Sequence, residues 1–317
     1  MTIAVKVLRK TQEAQDIAAF ELARPDGSAL PAFSAGSHID VQVPGGPVRQ
    51  YSLCNDAAEN HRYRIAVLRD AASRGGSAAM HDVVREGDTL TISEPRNHFP
   101  LVHAQRTLLF AGGIGVTPLL AMAQRLAAIE ADFTLHYCTR SPARTAFRDE
   151  IAASPWAQRV HFHFDDGDAA QKLDLERALG APLAGTHVYV CGPAGYIDFV
   201  VKTAQRLGWP DDQVHLEYFG AAPQDTSGDG GFQVKIASSG AVYDVAADQT
   251  VVQALQAHGI EILTSCEQGV CGTCITRVLQ GECDHRDLYF TDEEKAANDQ
   301  FTPCCSRAKT PLLVLDL

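Results

Sequence analysis

Four cysteines near the carboxyl end carry the strongest chemical signal in the chain. Cys266, Cys271 and Cys274 stand in a C-x4-C-x2-C arrangement, and Cys304 follows in a later segment. That spacing is used to hold a [2Fe–2S] cluster, whose two irons need four thiolates. Three thiols come from one tight loop and the fourth closes the cage from a distance. Gly269 and Gly272 let the loop wrap closely and aim its N–H groups at the sulfurs, which stabilises the added electron on reduction. Structural zinc is the competing chemistry. It usually takes paired C-x2–4-C units, and here the second half offers only the adjacent Cys304 and Cys305. Either of these two can supply the fourth thiolate, while Cys283 reads as a bystander.

Two glycine turns come next. Ala111-Gly112-Gly113-Ile114-Gly115-Val116-Thr117-Pro118 follows an apolar run and opens a helical stretch. Glycines there let the backbone approach a pyrophosphate, and the helix start adds a favourable field. The turn departs from the G-x-G-x-x-G fingerprint. Val190-Cys191-Gly192-Pro193-Ala194-Gly195 repeats the arrangement, and two such turns would line one crevice at the carboxyl ends of parallel strands. Cys191 reads by itself as a small core residue at a strand end. Further upstream, Arg49-Gln50-Tyr51-Ser52 offers a cation and a flat ring for stacking. Arg74-Gly75-Gly76-Ser77 offers the groups that hold a phosphate.

The elements that must position these residues fall into three patterns. Residues 1–102 contain six short strand candidates, IAVKVLRK, IAAFELARP, SHIDVQV, RQYSLC, YRIAVLR and TLTIS, bounded by turn residues, which predicts a small antiparallel barrel. Residues 103–225 alternate strands (TLLFAG, FTLHYCT, VHFHF, HVYVCG, VHLEYF) with helical stretches, which predicts a parallel sheet with helices on both faces. The segment GAAPQDTSGDGG, residues 220–231, reads as a linker. Residues 226–317 then give two strands, a helix, the cysteine loop and a last strand, LLVLDL.

Composition narrows the function. The chain has 317 residues, nine cysteines and a formal net charge of −12, from 27 basic and 39 acidic side chains. Nucleic acid is a poor candidate partner, because phosphate binding needs a basic footprint. No apolar run is long enough to span a bilayer, and the first residues lack the pattern of an export signal, so no membrane partner and a cytoplasmic location are expected. An odd cysteine count in such a chain argues against a disulfide framework. From Gly231 onward twelve acidic side chains face six basic ones. That excess suits docking to a basic patch on another protein, or ordinary solvation.

The order R-x-Y-S, G-G-x-G-x-T-P, C-G-P, then the cysteine loop, resembles the phthalate dioxygenase reductase family of the ferredoxin-NADP reductase superfamily, which includes vanillate O-demethylase reductase subunits. The resemblance covers essentially the whole chain. It implies an FMN-binding β-barrel (1–102), an NAD-binding α/β domain (103–225) and a plant-type β-grasp ferredoxin domain (226–317). It implies an NADH-dependent iron–sulfur flavoprotein that passes electrons through FMN and a [2Fe–2S] cluster to a terminal Rieske-type oxygenase. In the family's terms Arg49, Tyr51 and Ser52 sit at the flavin, and Arg74, Gly75, Gly76 and Ser77 near its phosphate. Gly112, Gly113, Gly115, Thr117, Pro118, Gly192 and Pro193 form the nucleotide turns. Ser52, Thr117 and Cys191 meet at the reacting rings, and Phe219 covers the flavin unless it is a plain core residue. The resemblance to plant-type ferredoxins favours Cys304 as the fourth ligand. NADH is preferred to NADPH mainly from the family, since Arg140 would favour a 2′-phosphate and Asp165 and Asp166 would repel one. Two other functions use the same parts: a self-sufficient flavin or ferric reductase, and a redox sensor that reads the state of its cluster.

Overall fold

The computed structural model describes residues 2–70, 75–220 and 226–317 and divides into two compact units, Met1–Glu217 and Tyr218–Leu317. Among the described residues no helix is long and apolar enough to cross a membrane.

The first unit opens with β1 (Thr2–Ala14), β2 (Ile17–Ala23), β3 (His38–Gln42), β4 (Val48–Ser52), β5 (Tyr63–Leu68), α1 (Gly76–Asp82) and β6 (Thr89–Ser93). The strands form an antiparallel sheet in the order β4-β3-β6-β1-β2-β5. An antiparallel bridge from Leu53 to Ile65 joins its two ends, so the sheet curls into the expected barrel. Ile3, Val5 and Val7 alternate inward along β1 because successive side chains of a strand point to opposite faces. Helix α1 was not anticipated from the sequence.

A parallel sheet follows, with β7 (Arg106–Gly112), α2 (Val116–Ala128), β8 (Asp132–Thr139), α3 (Arg148–Ala153), β9 (Val160–Phe164), α4 (Leu175–Leu179), β10 (Thr186–Gly192), α5 (Ala194–Arg206) and β11 (Val214–Tyr218). The strand order is β11-β10-β7-β8-β9. Helix α2 is enclosed on all sides over its first two turns, Val116 to Ala123, and keeps one buried side at Leu126. The chain turns out of it at Glu130, whose φ is 57°. Barrel and sheet share one core: Ile17, Cys54, Ala66 and Phe99 pack in a single cluster with Leu109, Leu119, Leu135 and Tyr189.

The second unit contains β12 (Phe232–Ile236), β13 (Val242–Val245), α6 (Val251–Gln256), β14 (Thr276–Gln280), β15 (Cys283–Asp284), α7 (Asp292–Ala297), β16 (Gln300–Phe301), β17 (Arg307–Ala308) and β18 (Leu312–Leu315). β12 and β13 form a hairpin, and β18 inserts parallel to β12 and antiparallel to β14. Capping boxes at Thr250–Gln253 and Thr291–Glu294 start the two short helices. The expected linker is only in part a tether. The Asp229 carboxylate accepts paired hydrogen bonds from Arg286 at 2.9 and 2.5 Å and lies 3.4 Å from the Arg307 guanidinium. The end of that segment is thereby fastened to the second unit.

Candidate redox sites

In the first unit, Ser52 ends β4, Cys191 lies one residue before the end of β10, and Glu217 lies one residue before the end of β11. The Ser52 hydroxyl donates to the Glu217 carboxylate, and Glu217 and Cys191 are close enough for the carboxylate charge to disfavour the thiolate. Burial pushes the Glu217 carboxyl up to about 8, and its Oε2 is buried without a hydrogen-bond partner. A group in that state is protonated at neutral pH and offers a proton in a dry site. Burial likewise raises the Cys191 thiol well above the ordinary range. Sequence reasoning passed over Glu217. Its signal was faint: an acidic residue that faces inward on the last strand of a parallel sheet.

The glycine turns do bring strands together. A side chain at Gly115 would put its Cβ 2.3 Å from the Cys191 carbonyl oxygen, so only glycine permits this approach. Gly112 and Gly192 face each other beside Pro193 and the Tyr196 ring, and Gly113 turns the chain between strand and helix. Thr117 and Pro118 are buried in the first turn of α2, and the Thr117 hydroxyl donates to the Ile114 carbonyl at 3.1 Å. The loops after β8 and β9 are tied by Asp165 N–H to Thr139 O and Asp166 N–H to Arg140 O, at 3.0 and 3.1 Å. Arg140 and the two aspartates therefore belong to one corner.

On the barrel, the Arg49 side chain lies across Gly76 at the start of α1, within 2.9 Å of where a Cβ would stand. Burial pushes the Tyr51 phenol up to about 12. Gly75 turns the chain with φ of 96°, and the Ser77 hydroxyl accepts from Asp70 N–H at 3.1 Å. Arg74 lies outside the described residues. Phe219 follows β11 at the start of the second unit and is 41% exposed, so it is not a core residue.

Barrel and nucleotide sheet are clasped through Arg64 of β5. Its guanidinium donates to both oxygens of Glu150 on α3, at 2.6 and 2.8 Å, and to the Cys54 carbonyl at 3.1 Å. It also lies over the Phe147 ring, 4.8 Å from the centroid. The clasp links β5, and the Cys54 carbonyl two residues past Ser52, to α3.

In the second unit the cysteines converge. None of the nine cysteines is joined in a disulfide. Cys266 hydrogen-bonds to Cys271 and Cys304, and Cys274 to Cys304. Hydrogen bonds from Cys271 and Cys304 pull Cys266 well below the usual thiol range. Cys305 reaches Cys304 but otherwise turns to Thr302 and Ser306. Cys283 is buried in the apolar core of the unit, away from the loop. Among the described residues no three such side chains frame a single-ion site. The thiols meet one another instead. Four thiols gathered by one loop and one distant segment fit the donor set of a [2Fe–2S] cluster.

Known proteins share this arrangement. Residues 234–309 match the family described as "2Fe-2S iron-sulfur cluster binding domain". Residues 97–214 match "Dimethylamine monooxygenase subunit DmmA-like, N-terminal domain". The vanillate O-demethylase oxidoreductase of Pseudomonas sp. (strain HR199 / DSM 7063) is 56% identical over 96% of each chain. The solved structure of a phthalate dioxygenase reductase, described as modular for electron transfer from pyridine nucleotides to [2Fe–2S], is 41% identical over 100% of this chain and 98% of its own, with a TM-score of 0.81. The chain belongs to the phthalate dioxygenase reductase family. The same architecture also occurs within an intact type IV self-sufficient cytochrome P450 monooxygenase, with a TM-score of 0.84 and 41% identity. There the chain spans 41% of the longer protein.

Proposed function

We propose that this reductase draws electrons from NADH through FMN and a [2Fe–2S] cluster and delivers them to a terminal Rieske-type oxygenase, with a vanillate-type O-demethylase the best fit. The observation that carries the reading is the four-thiol convergence in a chain whose other unit brings Ser52, Glu217 and Cys191 together at the ends of three strands. When bound, the flavin would turn a two-electron hydride donor into a source of single electrons, which the cluster relays.

The chain's own residues have defined tasks in this reading. Gly113, where a side chain would meet open space, admits the pyrophosphate against the start of α2, Gly112 and Gly115 hold that turn tight against β10, and Gly192 and Pro193 shape the facing wall. Cys191 fills the strand end beside the nicotinamide, and Thr117 closes the turn under it. Ser52 presents its hydroxyl to the flavin ring edge and Glu217 holds a proton behind it, out of contact with water. Arg49 neutralises phosphate charge over Gly76, and Tyr51 stacks on the ring system. Asp165 and Asp166 disfavour a 2′-phosphate beside Arg140, which supports NADH over NADPH. Cys266, Cys271, Cys274 and Cys304 hold the cluster. A cytoplasmic setting suits the reduced nicotinamide donor.

The test is an anaerobic titration of the purified protein with NADH, followed by visible absorbance and low-temperature EPR. Bleaching of a flavin band together with the signal of a reduced [2Fe–2S] cluster is expected. Bound zinc, or a cluster that NADH leaves oxidised, would overturn the reading.

A further inference from the structure

The segment 285–290 lies directly on the cysteine loop, and its packing has no part in holding thiols. Gly272 sits between Cys271 and Cys274 with φ of 67°, and a Cβ there would lie 2.5 Å from both Cε2 and Cζ of Tyr289. The phenol ring is therefore laid against the backbone of the ligand loop. Gly269 is used in a related way: a Cβ there would run into the Cys305 sulfur and stand 2.9 Å from the Asp287 Cβ, and the Gly269 carbonyl accepts from Leu288 N–H at 3.0 Å. Both glycines of the loop are thus sites where this segment sits down, as well as turns that free the backbone.

The seat is rigid. The Asp287 carboxylate is fully buried and its Oδ2 accepts from Tyr289 N–H at 3.2 Å and Phe290 N–H at 2.8 Å. Lys295 Nζ donates to the Asp287 carbonyl at 2.9 Å, and the Tyr289 ring meets the Phe290 ring edge-on at 5.3 Å. A buried carboxylate is costly unless its oxygens are paired, and here that pairing fixes the turn that aims Tyr289. Tyr289 itself keeps 37% of its surface exposed, so its ring separates the loop backbone from solvent.

We propose that Tyr289, seated by the Asp287 turn, is the cover of the cluster loop and lowers the reduction potential of the bound cluster by keeping water from it. The inference rests on the reading that the four thiols hold a [2Fe–2S] cluster. The reduced cluster carries more negative charge than the oxidised one, and water stabilises the more charged state, so excluding water lowers the potential. The ring also stands in the direct path of dissolved oxygen to the loop. Asp287 acts through the turn and is a positioning residue.

The experiment compares the holoprotein with Tyr289→Phe, Tyr289→Leu and Tyr289→Ala by EPR-monitored redox titration and by decay of the visible cluster band in air. Tyr289→Ala is expected to shift the midpoint potential upward and shorten the lifetime in air several-fold. Tyr289→Phe, which keeps the ring, is expected to match the wild type, and Tyr289→Leu to fall between. An unchanged potential and lifetime in Tyr289→Ala would overturn the proposal. So would a Tyr289→Phe protein that behaves like Tyr289→Ala, since the hydroxyl rather than the ring would then matter. If Tyr289→Ala does not retain the cluster, Tyr289→Leu decides, and wild-type values there overturn the proposal. A wild-type protein without the [2Fe–2S] signal would defeat the underlying reading and the proposal together. A wild-type signal with unchanged variants defeats the proposal alone.

Discussion

Nine consecutive residues, Cys266 to Cys274, supply three of the four thiols that meet in the second unit. The site in the first unit draws Ser52 from a barrel strand and Cys191 and Glu217 from two strands of a separate sheet. The thiol site depends on local loop geometry and one closing segment, so a single exchange removes a ligand and leaves the rest of the chain in place. The Ser52 site depends on how barrel and sheet are joined, so residues far from the chemistry hold it together. The Arg64–Glu150 pair and the shared core are what join them. Damage should therefore be all-or-none in the second unit and graded in the first.

The sharpest test is Cys304→Ser against Cys305→Ser. The first is expected to abolish the EPR signal and transfer to the oxygenase while flavin-linked NADH oxidation by a small acceptor continues. The second is expected to keep the cluster. The reverse result would exchange the ligand assignment.

Next in size is the buried acid. The Glu217 carboxyl is raised from 4.5 to about 8, so the folded state holds its proton more tightly than the unfolded chain. Its contribution to stability is full below the unfolded value and is lost as pH rises through the folded one. The loss amounts to at most about 5 kcal/mol by pH 8 and above. Glu217→Gln removes it, so the variant's unfolding temperature should exceed the wild type's at pH 9 and converge with it at pH 4. Parallel pH profiles would show that the carboxyl titrates normally.

The clasp comes after it. Arg64→Ala leaves the Glu150 carboxylate, 41% exposed, without its bidentate partner and uncovers Phe147. Because water reaches the freed carboxylate, losing the pair costs about 1 kcal/mol. Thermal unfolding should register that loss, and the KM for NADH should rise more than kcat falls. Gly115→Ala should cost about 1–3 kcal/mol through overpacking against Cys191, read by the same two measurements.

Smallest is screening. If the acidic excess of the second unit steers the oxygenase, turnover with the partner should fall as salt rises while NADH oxidation by a neutral acceptor stays level. Equal salt responses would remove charge steering from the account.

Much of this was legible in the chain itself. The cysteine loop, both glycine turns and all five strands of the parallel sheet lie where spacing and hydrophobic period place them, because each is written in contiguous residues. Local patterns also marked the six barrel strands and the hairpin, helix and last strand of the second unit. Helices α1, α4 and α7 and strands β14 to β17 escaped, since two to seven residues give little periodic signal. What only the tertiary structure decided is pairing across distance. It set Glu217 against Ser52 and Asp229 against Arg286, and it laid Tyr289 on Gly272. None of these partners is near the other in sequence. An acidic or aromatic side chain looks the same in a sequence whether it faces water or a buried partner. The sequence by itself marked the residues whose types suit redox chemistry and the stretches of chain that carry them. The fold decided which of them are dry, protonated or covered, because burial is a property of everything packed around a group.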